Sequence, residues 1–315
     1  LSVFVFWKVP VRTRLPALVL SGLLAATLAG CAASEPSTGG SAAPSSNTSA
    51  DAGTGKPALT KLSSTEGGLS GGTTLTLTGE HLKGVTNVHF GTVDAGDITV
   101  KNDTTIEVTV PSSFNYVVGK VPVTALVGQT AAAGSAEYSY DVKTDVDRQM
   151  AYLFKHWNNY NTAQWGDMNA GGGDCANFTS QGLIARGWKQ NPQWNSPGVN
   201  VASSTESWRF VPTMDKWLTN DASTLGLTKL TLADRDKLKV GDIGVFLWTG
   251  EGRPDHVMTV SSVKKVNGHT EVAFVSHNLD GDYRDLDQLI KDKNAANKPG
   301  QEMQAWFYSI PDAKA

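Results

Sequence analysis

Between Pro57 and Val142, apolar and polar residues alternate one by one. Thr74-Leu75-Thr76-Leu77-Thr78, Thr105-Ile106-Glu107-Val108-Thr109-Val110 and Lys120-Val121-Pro122-Val123-Thr124 all follow this rule. Successive side chains of a strand point to opposite faces, so a period of two makes half-buried strands and no helical stripe. Gly71-Gly72 and Asn102-Asp103 supply the turns between them. Short alternating strands at regular spacing predict an antiparallel β-sandwich. From Thr144 the period changes. Met150, Leu153, Phe154 and Trp157 recur at helical spacing, which predicts a helix with one buried face. A second domain, residues 145–315, opens there and holds every tryptophan except Trp7.

The composition narrows the class. Net charge is -3 and the isoelectric point is near 6.1, which gives no general attraction to nucleic acid. Charged residues are only 18% of the chain, a profile that suits an exported, β-rich protein. The first 30 residues carry Lys8, Arg12 and Arg14 and then an apolar run from Leu15 to Leu28, too short to span a bilayer and placed as an export signal. Leu1 stands where an initiator methionine is expected, pointing to a non-ATG start codon or a start placed elsewhere. Residues 31–56 are Ser-, Ala-, Gly- and Thr-rich with almost nothing apolar to bury, and read as a disordered linker reaching about 25–30 Å on average.

Only two cysteines occur, Cys31 and Cys175. Exported proteins usually pair their cysteines, so an unpaired one is a candidate for chemistry. Cys31 follows Leu28-Ala29-Gly30, which resembles the lipobox of bacterial lipoproteins. That resemblance implies cleavage before Cys31, a lipid on its sulfur and an acylated amine. The protein would then be anchored in a bacterial cell membrane and face the extracytoplasmic side.

Cys175 lies in Gly171-Gly172-Gly173-Asp174-Cys175-Ala176-Asn177-Phe178. Asp174 can cap a helix and leave Cys175 in its first turn, where unfilled N–H groups lower a thiol's pKa. The glycines let the backbone approach a carbonyl, so the Cys175 N–H could serve an oxyanion hole, with Asn169 as a second donor. A free cysteine is also an ordinary small core residue. A thiolate needs a base, and Asp255-His256-Val257 starts a strand after a Gly-rich loop. A further strand ends at Ser276-His277-Asn278, joined through a hairpin at Asn267-Gly268. Either His277 or Asn278 could orient His256, since a one-residue shift of register exchanges their faces; His277 is preferred. A metal cluster of His156, Asp255, His256, His277 and Asp280 lacks the spacing of known metal motifs, so no metal and no cofactor are expected.

Two family resemblances rest on these residues. Gly71-Gly72-Thr73, Thr76-Leu77-Thr78-Gly79, Val88-His89-Phe90-Gly91, Asn102-Asp103-Thr104-Thr105-Ile106 and Val110-Pro111 resemble the immunoglobulin-like IPT/TIG domain, a spacer or binding module, over residues 57–142. Gly172-Gly173-Asp174-Cys175-Ala176-Asn177-Phe178-Thr179-Ser180-Gln181, Ser207-Trp208, Val240-Gly241-Asp242 and Asp255-His256-Val257 resemble the putative amidase domain of bacterial exported proteins, related to papain-like cell-wall hydrolases. The resemblance implies an all-β sandwich followed by an α+β papain-like domain with helices packed on an antiparallel sheet. It also implies an amide-cleaving Cys175, His256 and His277 or Asn278. The location points to a peptide or peptidoglycan amide as substrate, worked on by a monomer. The competing reading is a surface adhesion or wall-binding lipoprotein whose hydrolase fold is inactive.

Overall fold

The strands form where the alternation puts them. In the computed structural model, which describes residues 56–134 and 136–311, ten strands precede the first helix. They are β1 Ala58–Leu62, β2 Glu66–Gly68, β3 Thr74–Glu80, β4 Asn87–Phe90, β5 Val93–Asp94, β6 Ile98–Asn102, β7 Thr105–Thr109, β8 Gly119–Val127, β9 Thr130–Ala131 and β10 Ala136–Asp141. The leader and Cys31 lie outside the described residues. One sheet runs β1-β3-β7-β6 and the other β2-β10-β8-β4-β5, with β9 on β8. Leu75 and Leu77 of β3 face Ile106 and Val108 of β7 across a register of Leu75 with Val108 and Leu77 with Ile106. All four are buried, while the threonines between them stay half-buried or exposed.

The second domain begins with α1 Asp145–His156 and continues through α2 Thr162–Trp165, α3 Cys175–Arg186, α4 Glu206–Arg209, α5 Val211–Asn220 and α6 Ala222–Leu225. The remaining elements are β11 Thr228–Thr231, β12 Ile243–Leu247, β13 His256–Val266, β14 His269–Ser276, β15 Gly281–Asp285, α7 Leu286–Ala296 and β16 Gln304–Ser309. A single antiparallel sheet orders them β11-β16-β12-β13-β14-β15. The predicted hairpin closes at Asn267-Gly268, where Val266 pairs with His269.

Each face of this sheet has its own core. Ile243, Val245 and Val257 pack with Cys175, Ala176 and Leu183 of α3 and with Trp165, Trp194, Trp208 and Trp217. Phe246, Met258 and Phe274 point the other way, onto Leu286 and Leu289 of α7. Helix α3 is buried almost all round, so it carries no one-sided apolar stripe.

The sandwich and the second domain share a core. Met150, Leu153 and Phe154 of α1, Phe178 of α3 and Val275 of β14 join Leu69, Tyr116 and Tyr140 in one cluster. Thr144 and Asp147 cap α1 reciprocally. The fully buried Asp147 carboxylate also accepts from Ser70 N at 2.6 Å and Lys143 N at 2.9 Å. The Tyr116 hydroxyl donates to Ser261 O at 2.5 Å across the same seam. The described residues of the sandwich and of the second domain fall in one compact unit.

Candidate active site

Three glycines precede the cysteine, and two of them need to be glycine. Gly172 has φ +112° and Gly173 has φ +129°, backbone that L side chains rarely adopt. A Cβ on Gly173 would also lie 3.3 Å from Asn278 Oδ1. Gly173→Ala is therefore expected to cost more than about 1 kcal/mol of stability. Gly119→Ala has open space around it and should stay within about 0.5 kcal/mol. Urea denaturation of both variants checks this, and equal losses would refute it.

Asp174 stands at the helix start, but its carboxylate does not cap it. The side chain turns inward and is fully buried. Oδ1 accepts from Met168 N at 2.7 Å and from Asn177 Nδ2 at 2.9 Å, and Oδ2 lies 2.6 Å from His277 Nδ1. Asn177 Oδ1 in turn accepts from Trp208 Nε1 at 2.7 Å. The Asp174 N–H donates to Asn278 Oδ1, and Asn278 Nδ2 donates to Asn169 Oδ1 at 2.5 Å. The glycine turn is thus gripped by a polar network that local sequence could not display, because its members come from four separate stretches.

His277 belongs to that network. Its Nε2 lies 2.9 Å from the His156 carbonyl, so both ring nitrogens are engaged away from His256. The ring is sandwiched between Tyr160 at 3.5 Å and Phe178 at 3.7 Å between centroids, nearly parallel to both. The expected pairing of His277 with His256 is therefore corrected: His277 orients Asp174. Asn278 likewise bonds Asp174 and Asn169, with no bond to His256. Asn169, expected as an oxyanion donor, donates its backbone N–H to Asp167 Oδ1 at 2.8 Å and accepts from Asn278 Nδ2 on its side-chain oxygen.

Cys175 is the first residue of α3 and is buried, only 6% exposed. Burial pushes its thiol up to about 11, and the nearby Asp174 charge adds to that. The N–H groups of Val257, Ala176 and Cys175 itself pull it down by less. The expected lowering by the helix end is present but outweighed by desolvation.

His256 sits on the other side of the strand. It is the first residue of β13, opposite Phe246, and alternation groups it with Met258 and Val260. Val257, its neighbour, is the residue that packs with Cys175. The imidazole lies 5.4 Å from the Trp248 ring, over which Lys293 places its ammonium at 4.6 Å. Burial, aided by Arg284 and Lys293, pushes its pKa down to about 3. Its Nε2 is buried without a hydrogen-bond partner, and no hydrogen bond joins it to Cys175 among the described residues. Trp248 and Tyr160, which hold the two histidines, had no signal in the sequence beyond being aromatic. Among the described residues no group of three or more His, Cys, Asp or Glu could hold a metal ion.

Fold and site together define an immunoglobulin-like sandwich fused to an α+β domain with a cysteine at the start of its central helix. Comparison with known families makes this specific. Residues 57–142 match the IPT/TIG domain, and residues 143–298 match the family described as Putative amidase domain. The chain therefore carries an IPT/TIG domain followed by a putative amidase domain, which supports a hydrolase-like function for the second. No curated protein matches the chain. Among solved structures, the plexin A4 extracellular region is 23% identical over 28% of this chain and 7% of its own, with TM-score 0.24. The γ-CGTase of alkalophilic Bacillus clarkii is 16% identical over 27% of this chain and 12% of its own, with TM-score 0.23. SGBP-B, from a xyloglucan utilization locus in Bacteroides uniformis, is 21% identical over 27% and 22%, with TM-score 0.21. The chain therefore spans less than a quarter of the length of each, and likenesses this partial carry no argument.

Proposed function

We propose that this protein is a cysteine-dependent amidase or peptidase that cleaves an amide of cell-wall peptidoglycan. The observation that carries this reading is Cys175 itself. It begins α3 behind a turn that only glycines allow, inside a domain matched by an amidase family. Cys175 Sγ attacks the carbonyl carbon, and the N–H groups at the helix start stabilise the oxyanion. His256 takes the thiol proton and returns it to the leaving amine, after which water releases the acyl group.

In the resting geometry thiol and imidazole are both neutral at pH 7, and they are not hydrogen-bonded. His256 starts β13 on the face turned away from Cys175, so its role as base requires the start of that strand to turn the ring toward the thiol, with proton transfer accompanying attack. This separates two measurements. His256→Ala should lower amide cleavage by at least about 100-fold. The same change should leave alkylation of Cys175 by iodoacetamide, which uses only the resting thiol, within about twofold. Retained cleavage in His256→Ala would remove His256 as the base. Wild-type alkylation should be slow near pH 7 and climb toward pH 11, because a thiol held above its ordinary value ionises later.

Lipid attachment at Cys31 would hold the enzyme against the wall from the membrane's outer face, acting as a monomer with no nucleic-acid partner. Detergent-phase partitioning that is lost in Cys31→Ala tests the anchor. The second reading, a surface binding protein with an inactive hydrolase fold, draws on the same buried and separated Cys175 and His256. Incubation with purified peptidoglycan decides between them. Release of soluble fragments or new amines supports the amidase, and their absence supports the binder.

A further inference from the structure

The geometry points to Asp174 and His277 as a charge-neutral positioning pair for Cys175: His277 compensates the carboxylate that stands beside the thiol and fixes the turn that presents it. The inference rests on the reading of Cys175 as a nucleophile. Asp174 is the residue immediately before the cysteine, and its carboxylate is buried without access to solvent. An uncompensated charge there would raise the thiol by like-charge repulsion in a low-dielectric site.

His277 answers that charge at 2.6 Å. Its other nitrogen meets the His156 carbonyl, which only accepts, so Nε2 carries a hydrogen. The bond between Nδ1 and Asp174 Oδ2 holds one more proton. With that proton on His277 the pair carries no net charge, and its carboxylate end, next to Cys175 in the chain, is the part the thiol still feels. Tyr160 and Phe178 clamp the ring on both faces, so it cannot turn away.

The other titratable groups nearby are few. His256 of β13 faces Trp248. Tyr152 of α1 donates to Gln181, and burial raises its phenol. Tyr160 donates to Asp280 at 2.8 Å, and its phenol is raised as well. None of these opposes Asp174 with a positive charge, so the compensation falls to His277.

The test is the rate of Cys175 alkylation by iodoacetamide at pH 8.5 in the full chain, read by mass spectrometry. His277→Gln leaves Asp174 uncompensated and should slow the reaction at least about tenfold. Asp174→Asn removes the negative charge and should speed it at least about tenfold. The double variant, neutral again, should return to within about threefold of wild type. A purely architectural role predicts something else. Loosening the turn exposes a buried thiol, so every variant would react faster, His277→Gln included. Faster alkylation of His277→Gln, or a double variant that fails to return, overturns the inference. Circular dichroism melts accompany each protein. If His277→Gln does not fold, an Asp174→Asn rate equal to or below wild type overturns it alone. Absence of amide cleavage by the wild type would instead sink the amidase reading and leave this rate order standing.

Discussion

Cys175→Ala is expected to abolish amide cleavage, lowering release of fragments from purified peptidoglycan by at least about a thousandfold. The size follows from the chemistry. Without sulfur there is no acyl intermediate, and the helix-start N–H groups alone leave only residual assistance to water. Cys175 contributes little else that would be missed. Its side chain is small, and alanine keeps the β-carbon in the cluster that also holds Val257 and Trp208. Unchanged melting together with lost cleavage would therefore isolate the nucleophile. Cys175→Ser should recover less than about a hundredth of the wild-type rate, since a serine hydroxyl is far less acidic than a thiol and a much poorer nucleophile at neutral pH. Undiminished cleavage in Cys175→Ala would show that the activity belongs to another residue or to a contaminant.

Asp147→Ala should be the most damaging single change outside the site, with a loss of about 3–5 kcal/mol. The carboxylate is fully buried and serves Ser70 N, Lys143 N and Thr144 N at once, while Thr144 returns the favour by accepting from Asp147 N. Alanine leaves three backbone donors without partners at the joint between the sandwich and α1. Gly68 packs its backbone against this carboxylate, since a Cβ there would lie 2.6 Å from Asp147 Oδ2. Beyond the loss, the shape of the transition should change. The wild type should unfold in one step because both domains share a core, and Asp147→Ala should separate the sandwich from the second domain. A urea titration followed by tryptophan fluorescence and by circular dichroism reads both. Fluorescence reports chiefly the second domain, since eight of the nine tryptophans lie there. Coincident curves at unchanged stability would show that the seam is only contact.

The two domains differed in how much of them could be foreseen. In the sandwich, Leu75, Leu77, Ile106 and Val108 are two apart, and a strand has no other way to bury them together. Local steric rules therefore decided β3 and β7 before any partner was known. The same holds for α1, whose apolar residues fall on one helical face, and for the Asn267-Gly268 turn between β13 and β14. The stretch from Asn191 to Leu238 was opaque. It forms short helices and turns around Trp194, which stacks on Trp217 at 5.1 Å and lies tilted against Trp208 at 4.9 Å. A cluster built from residues so far apart leaves no period to detect.

The candidate site shows the boundary most clearly. Residue type and order singled out Cys175, Asp174, His256, His277 and Asn278, and the first turn of α3 was legible in Gly-Gly-Gly-Asp-Cys. Their relations were not. Alternation says that His256 and Val257 face opposite sides of a strand, but not which side receives α3. Only the packed sheet assigns Val257 to the cysteine and His256 to Trp248. An N-terminal helix end lowers a thiol, yet the balance depends on how much water the fold removes, and here burial wins. Capping chemistry favoured Asp174 at a helix start, but His277, Met168 and Asn177 offered its carboxylate stronger partners inside. By itself, the sequence determined the period of each element, the turns between them and the reactive groups the chain carries, because those follow from backbone sterics and residue chemistry. Tertiary structure alone decided which groups face one another, which charges are compensated and which are stripped of water, because electrostatic energies in a protein depend on distance and burial rather than on order along the chain.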